Sequence, residues 1–275
     1  MRILATDLDR TLLPNGQWPA DEGAIALFNA LTQKHGILLV YVTGRNLALT
    51  EQAIARYGVR YPEVLCADVG TSMWRRERGR WRADARWAAH IQRINPAWDA
   101  AGVDARLSAM RGLRAQGAAH QGPFKQSYYV DPARGEAIVA QVRQRLGGAF
   151  DETLVYSVDG EAGRGLLDCL PRAANKRTAL EYIADEAGVA YRDLVFCGDS
   201  GNDIEPLTGP FSGVAVRNAD PQLRQSLARA AAGDHAPRVY FARGGCRGLN
   251  GYYVSGVIEG CYHYGLFNGR NLDGV

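Results

Sequence analysis

The chain has 275 residues, of which 47% are hydrophobic and 22% are charged, which is the balance of an ordinary globular protein. A chain of this length favours two domains rather than one. The formal net charge of +3 argues against a dedicated nucleic-acid binder. Arginines do concentrate in residues 75–82, and we interpret that stretch as a solvated hairpin or the approach to a helix.

The sequence predicts neither a membrane span nor a secretory signal. No apolar run approaches the ~18 residues that a bilayer span needs, and Met1-Arg2 leads directly into a strand pattern. The five cysteines are scattered and form no CxxC pair, which is typical of small buried side chains in a reducing compartment. We therefore expect a cytoplasmic protein without membrane or nucleic-acid partners, and its oligomeric state stays open.

Strand and helix patterns alternate along the first 70 residues. Short apolar runs at residues 3–6, 37–42 and 64–67 predict buried strands. Helical spacing predicts helices over residues 21–36 and 46–57. This alternation is typical of an α/β fold with a mostly parallel sheet.

The pattern changes between about residue 73 and residue 165. Helices are predicted at residues 83–94 and 135–146, and strands at 127–130 and 154–158. The buried parallel-strand pattern is missing from this region. We interpret it as a smaller inserted α+β domain.

The α/β pattern then returns. Further strands are predicted at residues 165–170, 194–197, 214–216 and 239–241, and further helices at 173–187, 221–232 and 251–263. The predicted division is a core domain of residues 1–80 and 166–275 around an inserted domain of residues 81–165.

Three groups of polar residues follow strand-like runs of this core. Because ligands of parallel sheets bind outside the carboxyl ends of the strands, we expect these groups to converge. A lysine near the start of the helix at 173–187 can reach the same edge. The residues concerned are Asp7, Asp9, Thr43, Gly44, Asp199, Asp203 and Lys176.

This set of side chains suits phosphoryl transfer. Clustered carboxylates hold a hard divalent cation, Mg²⁺ above all, and supply a nucleophile and an acid or base. A Thr hydroxyl beside a Gly backbone N–H forms an oxyanion-binding turn. A lysine adds a positive charge against the phosphate oxygens.

The chain resembles the haloacid dehalogenase-like phosphatase superfamily in four ordered motifs. They are Asp7-Leu8-Asp9-Arg10-Thr11 for D-x-D-x-T, Val42-Thr43-Gly44-Arg45 for the strand-end threonine, Lys176 for the helical lysine, and Gly198-Asp199-Ser200-Gly201-Asn202-Asp203 for the acidic loop. The resemblance implies a Rossmann-like core with a cap domain inserted between the second and third motifs.

The resemblance also implies roles for individual residues. Asp7 would be the nucleophile that forms an aspartyl-phosphate, and Asp9 would protonate the leaving alcohol and then deprotonate water. Mg²⁺ would be bound by Asp7, the Asp9 main-chain carbonyl and Asp199, with Asp203 in support, while Thr43 and Lys176 would hold the phosphoryl group. Arg10 stands where many members have Gly, and would be strained if the position needs a positive φ.

A finer resemblance is to the sucrose-phosphate phosphatase branch. It is carried by Pro123-Phe124-Lys125-Gln126-Ser127-Tyr128-Tyr129, by Asp168-Cys169-Leu170-Pro171 and by Val257-Ile258-Glu259-Gly260-Cys261-Tyr262-His263-Tyr264-Gly265-Leu266. It implies an Mg²⁺-dependent phosphatase for a sugar phosphate, first of all sucrose 6-phosphate. The alternatives are another glycoside phosphate such as mannosylfructose phosphate, a phosphomutase of the superfamily, or a regulatory subunit without activity.

Five residues are predicted to bind substrate: Gly44, Arg45, Lys125, Gln126 and Asn202. For Arg45 the alternative is an ion pair with an acid of the core. Side chains alternate along a strand, so Lys125, Ser127 and Tyr129 share one face and Gln126 shares the other with Tyr128.

Overall fold

The computed structural model describes residues 1–159, 163–232 and 236–267. The chain divides into two compact units, one of Met1–Ala83 with Lys176–Val275 and one of Asp84–Asn175. Among the described residues, no helix combines the length and the apolar content needed to cross a bilayer.

The strands are, in chain order, β1 (Ile3–Thr6), β2 (Leu38–Val42), β3 (Val64–Ala67), β4 (Ser72–Glu77), β5 (Arg80–Ala83), β6 (Leu113–Ala115), β7 (Gln126–Val130), β8 (Glu152–Asp159), β9 (Arg164–Pro171), β10 (Leu194–Gly198), β11 (Ser212–Ala215) and β12 (Arg238–Phe241).

The α-helices are, in chain order, α1 (Ala24–Lys34), α2 (Leu47–Tyr57), α3 (Ala85–Ile94), α4 (Ala100–Leu107), α5 (Gly135–Leu146), α6 (Lys176–Ala187), α7 (Ile204–Leu207), α8 (Pro221–Ala231) and α9 (Val254–His263).

The larger unit is built on a single eight-stranded sheet in the order β12-β11-β10-β1-β2-β3-β4-β5. The strands from β12 to β3 run parallel, and β4 and β5 add an antiparallel hairpin at one edge. The predicted α/β class with a mostly parallel, Rossmann-like sheet is therefore confirmed.

The central strands are mostly apolar and are buried along their whole length. Every residue of β1 and β10 is buried, as expected of strands inside a parallel sheet. Helix α2 shows how local sequence sets the crossovers: the Asn46 side chain accepts a hydrogen bond from Leu49 N at its start, and Gly58 ends it at φ 66°.

The smaller unit contains an antiparallel four-stranded sheet in the order β6-β7-β9-β8. Its helices bury the apolar residues Trp87, Ile91, Val103, Ile138, Val142 and Leu146. This is the α+β arrangement that the sequence predicts for the inserted region.

Two features of the chain differ from the predictions. Residues 165–170, assigned from sequence to the core, lie in β9, which pairs with β7 and β8 of the smaller sheet. The unit boundary accordingly falls at Lys176 rather than at residue 166. The arginine-rich stretch 75–82 forms most of the β4–β5 hairpin, in agreement with one of its two interpretations, but this hairpin extends the main sheet, so the inserted unit begins at Asp84 rather than at residue 81.

All five cysteines lie in the described part of the chain, and none of them forms a disulfide there. Four of them are buried, and Cys246 is partly exposed.

Candidate active site

The predicted groups converge at the carboxyl edge of the larger sheet. Strand β1 lies between β2 and β10, where the strand order reverses, and this is the position at which parallel sheets form a ligand crevice. Asp7 directly follows β1, and its backbone N–H donates to Cys197 O of β10 at 2.9 Å. Thr43 directly follows β2 and donates to Cys66 O of β3 at 2.9 Å.

Lys176 is the centre of the buried charge. Its side chain is 1% exposed, and Nζ donates to Asp7 Oδ1 at 2.8 Å and to Asp203 Oδ1 at 2.7 Å. Burial alone would lower the pKa of Lys176, but the carboxylates of Asp203 and Asp7 outweigh that effect and raise it. The positive charge of Lys176 is therefore stabilised between the carboxylates of Asp7 and Asp203.

Asp203 organises the acidic loop. Its Oδ2 accepts hydrogen bonds from Asp199 N at 3.0 Å and Ser200 N at 3.2 Å, which completes a capping box with Ser200. A Cβ at position 198 would lie 2.6 Å from the Asp203 Cβ, so the close turn requires Gly198. Because both oxygens of Asp203 already accept hydrogen bonds, its structure suits a supporting role beside a cation.

Asp199 is buried beside other carboxylates. Its Oδ1 accepts a hydrogen bond from Thr11 Oγ1 at 3.0 Å, and its side chain is 2% exposed. Burial and the neighbouring charge of Asp203 raise the pKa of Asp199 to about 7, against the opposing charge of Arg10. Burial likewise raises the pKa of Asp7, while Lys176 counters it.

A divalent cation fits this cluster. One carboxylate oxygen from each of Asp7, Asp199 and Asp203 lies within 4.8 Å of the others, and oxygen is the ligand that Mg²⁺ prefers. Asp199 Oδ2 is also buried without a hydrogen-bond donor among the described residues, although Arg10 Nη2 lies 3.1 Å away. A buried carboxylate oxygen without a donor is the kind of group that a metal ion satisfies.

Asp9 has a different environment from Asp7. Its carboxylate accepts two hydrogen bonds from Arg45, Nε to Oδ2 at 2.8 Å and Nη2 to Oδ1 at 2.6 Å, and one from Asn15 Nδ2 at 2.6 Å. Burial opposes ionisation, but the hydrogen bonds and charge of Arg45 prevail and lower the pKa of Asp9. Arg45 thus takes the alternative open to it from sequence, an ion pair with an acid of the core.

The turn after β2 carries Thr43 and Gly44. Thr43 is fully buried, and its Oγ1 accepts a hydrogen bond from Arg45 N at 3.2 Å. A Cβ at Gly44 would meet nothing closer than a Val69 methyl at 4.0 Å, so space alone does not require glycine there.

Arg10 does adopt the strained conformation that the sequence raises as a possibility. Its φ is 60°, and hydrogen bonds hold the backbone on both sides: Arg10 N donates to Asn15 Oδ1 at 2.7 Å, and Asn218 Nδ2 donates to Arg10 O at 2.6 Å. The guanidinium Nη2 donates to Asp220 Oδ1 at 2.6 Å. Surrounding contacts that over-determine a strained residue are common at functional sites.

Sequence reasoning missed Asn15, Asn218 and Asp220. None belongs to the four motifs, and only the fold brings Asn218 and Asp220, which follow β11, beside Arg10. The sequence shows only that Asn218 and Asp220 follow a predicted strand. Many polar residues do so, and this position alone does not identify a functional residue.

The remaining predicted substrate residues are divided between the two units. Asn202 is exposed on the acidic loop and accepts a hydrogen bond from Ser200 Oγ at 2.9 Å. Lys125 and Gln126 belong to the smaller unit. Lys125 Nζ lies 3.8 Å from Asp168 Oδ2, whose other oxygen accepts a hydrogen bond from Ser127 Oγ at 2.5 Å. The Gln126 amide donates to carbonyls of its own loop, Gly122 O and Lys125 O.

The fold and the site define the class of protein. A solved sucrose-phosphatase from Synechocystis sp. PCC6803, in complex with sucrose and phosphate, superposes with a TM-score of 0.74 at 24% identity, covering 96% of this chain and 98% of that one. A putative HAD-like hydrolase of Nitrosococcus oceani is 37% identical over 95% of this chain and 71% of its own length. The chain is a phosphoric monoester hydrolase of the haloacid dehalogenase-like superfamily.

Within that superfamily, the chain belongs to the sucrose-6F-phosphate phosphohydrolase family, whose model matches residues 1–265. A mannosylfructose-phosphate phosphatase of Agrobacterium fabrum is 28% identical over 97% of this chain and 98% of its own. A probable sucrose-phosphatase of Arabidopsis thaliana is 29% identical over 98% of this chain, which spans only 60% of the plant protein.

Proposed function

We propose that this protein hydrolyses the phosphate monoester of a sugar, and that sucrose 6-phosphate is its substrate. The observation that carries the proposal is the position of Lys176, buried between Asp7 and Asp203 at the switch point of the sheet. Structural and regulatory proteins have no need of such clustered buried charge, which is costly unless a function uses it. Membership of the sucrose-6F-phosphate phosphohydrolase family supports the choice of substrate.

In the first step a carboxylate oxygen of Asp7 attacks the phosphorus atom, and the bond from phosphorus to the sugar oxygen breaks. Asp9 donates a proton to the departing sugar oxygen, so the products of this step are a free sugar and an aspartyl-phosphate. In the second step Asp9 accepts a proton from water, the water oxygen attacks phosphorus, and the bond to Asp7 breaks. Inorganic phosphate leaves, and both aspartates return to their starting protonation states.

The Asp7 and Asp199 carboxylates and the main-chain carbonyl of Asp9 are the groups proposed to hold Mg²⁺. When bound, the ion neutralises charge on the phosphoryl oxygens and on the crowded carboxylates. Asp203 supports the site indirectly, because its oxygens are committed to Lys176 and to the backbone of the acidic loop.

Lys176 and Thr43 are proposed to hold the phosphoryl group, together with the backbone of Gly44 and the amide of Asn202. The buried ammonium of Lys176 is aligned before the reaction by its two carboxylates, so it costs little reorganisation as charge develops. The Thr43 hydroxyl supplies a donor from the neighbouring strand end.

Arg45 controls the protonation state of Asp9 in this scheme. The bidentate pair keeps Asp9 ionised, whereas the first step needs a protonated Asp9. We propose that substrate binding loosens this pair, so that the proton is available only when a leaving group is present.

Sugar selection is proposed to depend on Lys125 of the smaller unit, with Gln126 as a weaker contributor. Lys125 is 7% exposed, and its ammonium and the Ser127 hydroxyl both contact the carboxylate of Asp168. The Gln126 amide already bonds to local carbonyls, which favours a structural part for it.

A phosphatase for mannosylfructose phosphate is the second candidate. It is favoured by the Agrobacterium fabrum enzyme, which this chain matches over 98% of that enzyme's length. The sucrose-phosphatase of Arabidopsis thaliana, by contrast, is matched over only 60% of its length.

The test is a phosphate-release screen over a panel of sugar phosphates, with and without Mg²⁺. The panel includes sucrose 6-phosphate, mannosylfructose phosphate and glucose 6-phosphate, and Asp7→Asn is the matched inactive control. We expect Mg²⁺-dependent release of free phosphate, fastest from sucrose 6-phosphate. Isomeric sugar phosphate formed without free phosphate would instead indicate a mutase, and activity retained in the folded Asp7→Asn protein would refute the nucleophile.

A further inference from the structure

One arginine places a positive charge in direct contact with a carboxylate of the acidic cluster, in addition to the charge of Lys176. Asp7, Asp199 and Asp203 contribute three negative charges, and Lys176 offsets one through its two short contacts. Two negative charges then remain, which match one divalent ion. Arg10 adds a further positive charge in direct contact with Asp199, and Asp220, which accepts a hydrogen bond from the same guanidinium, adds a further negative one.

The contact falls on one particular oxygen. Asp199 Oδ1 is held by Thr11 Oγ1 at 3.0 Å, and Arg10 Nη2 lies 3.1 Å from Oδ2. Oδ2 is the buried oxygen that accepts no hydrogen bond among the described residues, and is therefore the oxygen available to a metal ion. The guanidinium and the ion would share the same ligand atom.

The position of Arg10 is built into the fold. Its backbone is held at φ 60° by Asn15 and by Asn218. Asn218 is 7% exposed, and its Oδ1 accepts a hydrogen bond from Tyr253 N at 2.9 Å, another residue with positive φ (50°). A single amide thus clamps two strained residues, which leaves the Arg10 side chain directed toward Asp199 and Asp220.

We propose that Arg10 acts as a resident cation on Asp199 and weakens the affinity of the acidic cluster for Mg²⁺. This inference rests on the proposed function, because it takes the cluster to be a metal site. The same nitrogen, Arg10 Nη2, also contacts Asp220 Oδ1 at 2.6 Å. Asp220 draws Arg10 away from Asp199 when the ion enters, so Arg10 sets the Mg²⁺ concentration over which the site fills.

The experiment is calorimetric titration of the metal-free full-length protein with Mg²⁺. Arg10→Met removes the charge and keeps the side-chain length, and Arg10→Gly removes the charge and relieves the positive φ. Both variants are expected to bind Mg²⁺ about tenfold more tightly than the unaltered protein, a usual size for coupling between neighbouring charged groups. Arg10→Lys keeps the charge and should stay within about threefold of the unaltered protein.

Asp220→Asn should change the affinity for Mg²⁺ in the opposite direction from the Arg10 variants. Without Asp220 the guanidinium bonds to Asp199 alone, so Mg²⁺ should bind about threefold more weakly. If Arg10 carries this effect, Asp220→Asn should change little in the Arg10→Met background, which a double-mutant cycle measures. Arg229→Met is the charge-matched control, since the exposed Arg229 lies about 13 Å further along α8 than Asp220.

The outcomes separate the two proposals. Equal or weaker Mg²⁺ binding by both Arg10→Gly and Arg10→Met, in proteins that remain folded, would overturn the role of Arg10. An equal effect of Arg229→Met would show that only net charge matters and would overturn it too. The absence of any Mg²⁺ binding by the unaltered protein would instead refute the metal site of the proposed function.

Discussion

Each unit of the molecule buries a lysine beside aspartate, and the two lysines differ in the length of these ion pairs. Lys176 of the larger unit is 1% exposed and has carboxylate oxygens at 2.8 and 2.7 Å. Lys125 of the smaller unit is nearly as buried, at 7%, but its ion pair with Asp168 is 3.8 Å long. That carboxylate is also bound by Ser127 at 2.5 Å.

The two lysines have different roles in the proposed function. A charge clamped by short contacts cannot follow a ligand, and it suits a reaction in which charge develops at one fixed point. Lys125 has the longer ion pair, and in the proposed function its ammonium contacts the sugar. In the proposed function, Lys176 of the larger unit acts in the reaction and Lys125 of the smaller unit contributes to the choice of sugar.

Replacement of Lys176 should produce the largest effect. Lys176→Met leaves the carboxylates of Asp7 and Asp203 uncompensated in a buried site, which should lower the free energy of unfolding by about 3–5 kcal/mol in Mg²⁺-free buffer. Turnover should fall by at least about 10³-fold, because a preorganised donor to the phosphoryl group is lost. Denaturant unfolding and phosphate release measure the two effects.

The neighbouring Arg177 is the matched control. Its Nε donates to Glu181 at 2.8 Å on an exposed helix face, where an ion pair contributes about 0–1 kcal/mol. Arg177→Met should therefore leave stability and turnover nearly unchanged. A similar loss of stability in Lys176→Met and Arg177→Met would contradict the claim that the buried Lys176 stabilises the fold more than a surface arginine does.

Asp9 and Arg45 give the next largest effect. Asp9→Asn removes the acid and base, and should lower kcat by about 10²–10⁴-fold. Arg45→Lys keeps the charge but replaces a planar fork by a single point charge, so the two-oxygen contact is lost. Its kcat should fall by less than that of Asp9→Asn.

Steady-state kinetics on both single variants and on the double variant tests this assignment. If Arg45 acts through Asp9, then Arg45→Lys should have little further effect in the Asp9→Asn protein. Full additivity of the two effects would assign Arg45 to the substrate instead.

Lys125 should affect binding rather than turnover. Lys125→Ala is expected to raise KM about tenfold, or ~1.4 kcal/mol, with kcat little changed, because a contact to the sugar acts equally before and during the reaction. Arg143→Ala, at an exposed position of α5 in the same unit, is the control. An unchanged KM for Lys125→Ala would show that Lys125 does not contact the substrate.

The sequence was sufficient for the fold class and for the convergence of the motif residues. Buried apolar strands imply a parallel sheet, and the carboxyl ends of parallel strands share an edge. Asp7, Lys176 and Asp203 therefore meet as predicted. Their roles in the reaction stay predictions.

Pairings that depend on partners distant in sequence could not be predicted. The apolar alternation of β9 indicates a strand but does not name its neighbours, so this strand was assigned to the wrong sheet. Arg10 shows the same limit. The cost of its positive φ is visible from the motif, but the hydrogen bond from Asn218 that stabilises it depends on the folded chain.

The smallest expected effect is a dependence of the larger unit's stability on pH. The pKa of Asp199 is raised to about 7 by burial and by Asp203, whereas an unfolded aspartate titrates near about 4. Between these values the folded state binds more protons than the unfolded state, so stability falls as pH rises through this window. The effect arises in the larger unit, where Asp199 lies beside the carboxylates of Asp7 and Asp203.

In Mg²⁺-free buffer, Tm should therefore decrease by roughly 4 °C between pH 5 and pH 8. Saturating Mg²⁺ should reduce this decrease, because the ion binds the ionised carboxylates of the folded state. Asp199→Asn is the control and should flatten the Mg²⁺-free profile. A Tm that rises from pH 5 to pH 8 in the absence of Mg²⁺ would mean that Arg10 and Thr11 stabilise the ionised Asp199 more than burial opposes it.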